Sequence, residues 1–123
     1  MAENIRRVLI AEDEKPMAKA LQMKLTKVGY EVTLAADGEE AIAALKSNDF
    51  DIVLLDLIMP KLDGFGVLEE MKKLGNKTPV LVSTNLSQPE DEKRVIELGA
   101  KGFFVKSDTP ITKVVDHIKS ALD

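Results

Sequence analysis

Apolar runs of strand length alternate five times along this chain with segments whose apolar residues recur every three to four positions. The runs read as strands at Arg6–Ala11, Glu31–Ala35, Asp51–Leu55, Val80–Ser83 and Gly102–Val105. The segments between and after them predict helices over Lys15–Val28, Gly38–Ser47, Phe65–Leu74, Pro89–Leu98 and Thr112–Leu122. Punctuation agrees: Gly29 and Gly99 follow helices, and Asp37, Asp63 and Thr109-Pro110 stand where N-caps or first turns belong. Val8-Leu9-Ile10-Ala11 and Ile52-Val53-Leu54-Leu55 are apolar without alternation, as expected of parallel strands covered on both faces. The pattern predicts an α/β fold: a doubly wound, five-stranded parallel sheet of flavodoxin-like topology, strand order 2-1-3-4-5, with five helices.

That strand order carries a chemical consequence. It makes the first and third strands neighbours whose following helices leave to opposite faces, and ligands bind at such a switch point, outside the carboxyl ends of the strands. Glu12 and Asp13 end the first strand and Asp56 ends the third. Ionised groups belong only where a doubly buried strand leaves the core, so three carboxylates are expected on one rim. Two of them about 4 Å apart repel by roughly 4 kcal/mol at an effective dielectric near 20, so the cluster calls for a cation. Neutralising Asp13 or Asp56 is therefore expected to stabilise the metal-free fold.

Thr84 and Lys106 end the fourth and fifth strands on the same rim. Strands lie about 4.8 Å apart, and a long lysine leaning across one strand closes most of the roughly 10 Å between the fifth and the third. Oxygen-only carboxylate sites that keep several waters suit Mg²⁺. A carboxylate beside Mg²⁺, with Thr and Lys to hold the remaining phosphoryl oxygens, is an arrangement for phosphoryl transfer to an aspartate. Ser83 precedes Thr84, and strand alternation lets only one of the two hydroxyls face the site.

Composition narrows the setting. With 123 residues the chain is expected to form one domain, residues 1–123. No apolar stretch approaches the roughly 20 residues that span a bilayer, so no membrane insertion is expected. Met1-Ala2-Glu3-Asn4 has no apolar signal core and the chain has no cysteine, both in keeping with a cytoplasmic protein. A net charge of −4 with scattered basic residues argues against direct binding of nucleic acid.

Ala11-Glu12-Asp13-Glu14, Leu55-Asp56-Leu57-Ile58-Met59-Pro60, Asp63-Gly64, Pro79 to Thr84, Gly99-Ala100 and Phe103-Phe104-Val105-Lys106 follow one another in order from the first strand to the last. They resemble the receiver domain of two-component response regulators, including the stand-alone regulators of chemotaxis. The resemblance implies that Asp56 accepts a phosphoryl group and that Asp13 binds Mg²⁺ directly. Glu12 would bind it through water, and the backbone carbonyl of Ile58 would be the remaining protein ligand. Thr84, favoured over Ser83 by its spacing to Lys106, and Lys106 itself would hold the phosphoryl group, and Phe103 would be the aromatic that turns when the switch is set. The implied partners are a histidine kinase or phosphotransfer protein as donor and a downstream protein on the face formed by the fourth helix, fifth strand and fifth helix. A monomer, or a weak phosphorylation-dependent dimer, is expected.

The chain departs from the pattern after Lys106, where receivers usually carry proline, often in a cis peptide, and this chain carries Ser107. A cis bond before serine costs about 2.5–4 kcal/mol against about 0.5–1 before proline, so a trans peptide is expected. Asn85 is also larger than the alanine often found one position beyond the hydroxyl residue. Two other readings stand beside the switch: a receiver-like scaffold that binds partners without phosphorylation, and a flavodoxin-like FMN binder. Glu12-Asp13-Glu14 would repel a flavin phosphate at the first strand end. The sequence leaves open a stand-alone regulator, a phosphorelay shuttle and a receiver cut from a longer protein.

Overall fold

The apolar run Val8–Ala11 occupies the second position of a five-stranded sheet, paired on both sides and fully buried. The computed structural model describes residues 5–86 and 88–123. Its elements are β1 (Arg7–Ala11), α1 (Lys15–Val28), β2 (Glu31–Ala35), α2 (Gly38–Ser47), β3 (Ile52–Leu55), α3 (Gly64–Lys73), β4 (Val80–Thr84), α4 (Pro89–Glu97), β5 (Gly102–Val105), a 3₁₀ turn at Lys106–Asp108, and α5 (Ile111–Leu122). All pairings are parallel and the order is β2-β1-β3-β4-β5, the doubly wound arrangement that the alternating pattern predicts. Most predicted ends hold to within one residue. Thr84 is a correction, since it lies inside β4, paired with Val105, rather than after the strand.

Strand alternation divides the interior into two cores. Leu9, Val53, Leu55 and Val82 face α2, α3 and α4, where they meet Ile42, Leu45, Phe65, Leu68 and Val95. Val8, Ile10, Ile52, Leu54 and Leu81 face α1 and α5, meeting Leu21, Leu25, Val114, Val115 and Ile118. Burial of this kind stabilises by about 25 cal/mol per Å² of apolar area, which is why all four residues of β3 are apolar and buried. As expected, Asp37 and Asp63 cap their helices, accepting from the amides of Glu40 (2.8 Å) and Gly66 (2.8 Å). Glu40 returns the favour at α2, accepting from Ala36 N at 2.9 Å. No helix among the described residues is long and apolar enough to cross a membrane.

Two glycines permit the backbone approach that shapes the carboxyl rim. A Cβ on Gly64 would lie 2.5 Å from the backbone oxygen of Asp56 and 2.7 Å from Leu57 Cα, and a Cβ on Gly38 would collide with the Leu62 carbonyl. The loop between β3 and α3 is thus wedged between two helix N-termini. Gly38→Ala should lower stability by about 1–3 kcal/mol through overpacking. Urea denaturation would measure it, with the exposed neighbour variant Glu39→Ala expected to change little.

Candidate functional site

Register brings the acids together. Ala11 of β1 pairs with Leu55 of β3, and the Asp56 amide extends that ladder by donating to Ala11 O at 3.0 Å. Glu12 N donates in turn to Ala35 O of β2 at 3.0 Å. Glu12 and Asp56 therefore stand one step beyond a paired rung, on adjacent strands, and both are buried, at 6% and 5% exposure. Asp13 is exposed, yet carboxylate oxygens of Glu12, Asp13 and Asp56 all lie within 4.8 Å of one another.

Lys106 reaches this cluster from the far side of β4. It is the first residue of the 3₁₀ turn after β5, and its side chain is 8% exposed. Its Nζ lies 2.6 Å from Glu12 Oε1, 2.8 Å from Asp56 Oδ2 and 3.2 Å from Glu14 Oε1. Burial alone would lower the lysine pKa, but hydrogen bonds to Asp56 and Glu12 and their charges outweigh it and hold the group above its ordinary value. It is an ammonium throughout the neutral range. Burial pushes the Glu12 carboxyl up, with the Asp56 charge adding to it. The Lys106 hydrogen bond, the Glu14 amide and the lysine charge pull the other way. The protein thus supplies one cation to the cluster from its own chain, and the Asp56 pairing works against the expectation that neutralising Asp56 stabilises the metal-free fold, since that ammonium would lose a buried partner.

The remaining polar atoms are engaged locally. Asp56 Oδ1 accepts from Ile58 N at 3.2 Å, and Glu12 Oε2 from Glu14 N at 3.0 Å. The Ile58 side chain is 54% exposed. Thr84 is fully buried, and its Oγ1 accepts from Leu86 N at 3.2 Å. Alternation along β4 places Thr84 on the side of Val82 and Phe103, the face covered by α4, whereas Ser83 pairs with Phe104 on the side of α1 and α5. Phe103 is half-buried against the first core, and Phe104 stacks on His117 with ring centres 4.9 Å apart.

Three features of the site escaped sequence reasoning. Glu14 is a third partner for the lysine, although its side chain is 61% exposed. Asn85 Oδ1 accepts from Ser107 N at 2.9 Å, and Thr109 Oγ1 donates to Val105 O at 2.7 Å, so side chains pin the turn that carries Lys106. No peptide among the described residues is cis, the Lys106–Ser107 bond included.

An all-oxygen set with two buried carboxylates and one exposed one suits a hard divalent cation that keeps several waters. Asp13 has no salt-bridge partner among the described residues and offers its oxygens from the solvent side. A flavin phosphate finds no comparable place here, since three carboxylates face the position it would take.

The sequence matches the family described as the response regulator receiver domain over residues 8–119. The chain belongs to that family. Among solved structures, it is similar to the chemotaxis protein CheY4 of Vibrio cholerae, with a TM-score of 0.88 and 29% identity, covering 97% of this chain and 100% of that one. A CheY-like receiver domain protein from Methanospirillum hungatei gives a TM-score of 0.91 at 26% identity, covering 98% and 95%. A probable transcriptional regulator, ycf27, of Porphyridium aerugineum is 40% identical over 104 residues, 85% of this chain and 43% of that protein. The transcriptional regulatory protein DltR of Streptococcus agalactiae is 38% identical over 100 residues, 81% of this chain and 45% of that protein. The receiver thus spans less than half the length of these regulators.

Removing one partner of a buried ion pair costs about 3–5 kcal/mol because the other charge is left uncompensated. Lys106→Met should destabilise the metal-free receiver by roughly that amount. Asp13→Asn, at an exposed acid that only repels, should leave stability unchanged or raise it by less than about 1 kcal/mol. Urea titrations in a chelator check both, and a fall in stability for Asp13→Asn would show that it has a cationic partner.

Proposed function

We propose that this receiver is a Mg²⁺-dependent phosphorylation switch in which Asp56 is the phosphoacceptor. The observation that carries the proposal is the position of Asp56. Its carboxylate is buried, yet it lies beside two further acids on one flank and within 2.8 Å of a lysine ammonium on the other. A scaffold that binds partners without phosphorylation has no use for so costly a grouping.

In this reading Asp13 and Asp56 hold the metal directly, Glu12 holds it through water, and the Ile58 carbonyl completes the protein's share. Mg²⁺, when bound, supplies positive charge to the oxygens of the transferring phosphoryl group. An Asp56 carboxylate oxygen attacks phosphorus while the bond to the donor breaks, the electron pair leaving with the donor's imidazole nitrogen when that donor is a phosphohistidine. Lys106 then moves its hydrogen bond from Asp56 to a phosphoryl oxygen, and the Thr84 hydroxyl gives up Leu86 N to donate to another. Thr84 is chosen over Ser83 because it shares a face with Phe103. The withdrawal of Thr84 frees space into which the Phe103 ring turns, altering the surface formed by α4, β5 and α5. The donor is a histidine kinase or phosphotransfer protein, and the reader of the changed surface is a downstream protein, with the chain a monomer or a weak phosphorylation-dependent dimer in the cytoplasm.

Incubation with acetyl phosphate or phosphoramidate and Mg²⁺ should add one phosphate to the intact mass of the parent chain and none to Asp56→Asn. Equal uptake by the variant would remove Asp56 from the role. Thr84→Ala should still take up phosphate but lose most of the phosphorylation-induced change in Phe103, followed by the ring's NMR signals. Parent-like movement of that ring in Thr84→Ala would break the proposed coupling.

A further inference from the structure

Lys106 lies beyond the last rung of the sheet. Thr84 and Val105 are the final register partners of β4 and β5, and β5 is an edge strand with a neighbour on one side only. The lysine ammonium must nevertheless stay at 2.6 Å and 2.8 Å from two carboxylates on other strands. Its backbone is held by three bonds that bracket it: Thr109 Oγ1 to Val105 O at 2.7 Å, Thr109 N to Lys106 O at 3.2 Å, and Ser107 N to Asn85 Oδ1 at 2.9 Å. The last of these crosses from one loop to another. Asn85 follows Thr84 directly, so its side-chain carbonyl adds one rung to the β4–β5 ladder where the backbone pairing has stopped.

We infer that Asn85 is a positioning residue for Lys106, acting through the backbone amide of Ser107; the inference rests on the phosphoacceptor reading of Asp56. Proline at position 107 would have no N–H to donate, so the two unusual residues of this rim, Asn85 and Ser107, are halves of one device. The device also joins the loop in which Thr84 bonds Leu86 N to the turn that carries Lys106, so that the two groups proposed to receive the phosphoryl oxygens are tied to each other.

The test uses the whole chain and a double-mutant cycle. In the unphosphorylated protein, the ammonium protons of Lys106, slowed in their exchange with water by ion pairing, should exchange about fivefold faster in Asn85→Ala, the ratio that one net hydrogen bond is worth. Asn85→Ala and Ser107→Pro should each slow phosphorylation by acetyl phosphate about fivefold, and the double variant should be no slower than the slower single one. Two results would overturn the inference: unchanged Lys106 exchange in Asn85→Ala, or single effects that multiply to about 25-fold in the double variant, which would mean that Asn85 acts by some route other than Ser107. A parent chain that takes up no phosphate would sink the phosphoacceptor reading alone, because the exchange measurement decides the positioning role without it.

Discussion

The ammonium of Lys106, shared between Glu12 and Asp56, is the interaction on which the rest of this rim depends. Two carboxylates at 6% and 5% exposure on neighbouring strands bear both a desolvation cost and mutual repulsion. β3 contains no cation, and the one in β1, Arg7, stands at the opposite end of that strand and pairs with Glu31 at 3.2 Å. The offset comes from the turn just after β5, two positions from β3 and three from β1 in the sheet, and it comes only because the strand order is β2-β1-β3-β4-β5. Topology and electrostatics thus impose the same requirement. A change of strand order would leave the two acids buried without a partner.

The backbone around the acids is correspondingly tight. Gly64 sits where a side chain would press on the carbonyl of Asp56, and Gly38 where one would strike Leu62. Between these contacts the chain takes a positive φ of 69° at Lys61, whose ammonium reaches to 3.6 Å from the capping carboxylate Asp37. A non-glycine residue in that region costs of order 1 kcal/mol, so the packing of the two helix N-termini must hold it there. Rigidity on the β3 side contrasts with the β5 side, where side-chain hydrogen bonds in place of close backbone packing fix the turn.

Most of the fold was legible because its signals are local and repeated. Buried parallel strands read as apolar runs, helix starts carry Asp37 and Asp63, and one connection rule then orders five strands. The placement of Glu12, Asp13, Asp56, Thr84 and Lys106 on one rim followed from that order, since each stands at the carboxyl end of its strand. What escaped depends on side-chain reach. The reach of Lys106 toward Asp56 was legible from strand spacing, but nothing in the sequence shows that the same ammonium also pairs with Glu12. The Asn85–Ser107 bond joins two residues 22 positions apart, each of which looks in isolation like a mere departure from a family pattern. The extension of β4 to Thr84 is of the same kind, because pairing with Val105 is a property of the neighbouring strand.

The helices are not held equally, and this bears on which part of the surface can respond to a charge at Asp56. α3 buries Phe65, Val67, Leu68 and Met71, and α5 buries Val114, Val115 and Ile118, whereas α4 buries Val95 alone. Beyond that residue α4 is tied to α3 by Arg94, which stacks 4.1 Å from the Phe65 ring centre and reaches Glu69 at 3.7 Å. A cation–π contact of this exposure stabilises by about 0.5–1 kcal/mol and a surface ion pair by about 0–1 kcal/mol. A charge-assisted hydrogen bond, such as Thr84 would make to a phosphoryl oxygen, is worth about 1.5–3 kcal/mol. That is comparable with everything the Arg94 contacts contribute and small against the burial of four side chains under α3. In the proposed switch, a signal of this size would redistribute positions of α4 more readily than those of the better-buried α3.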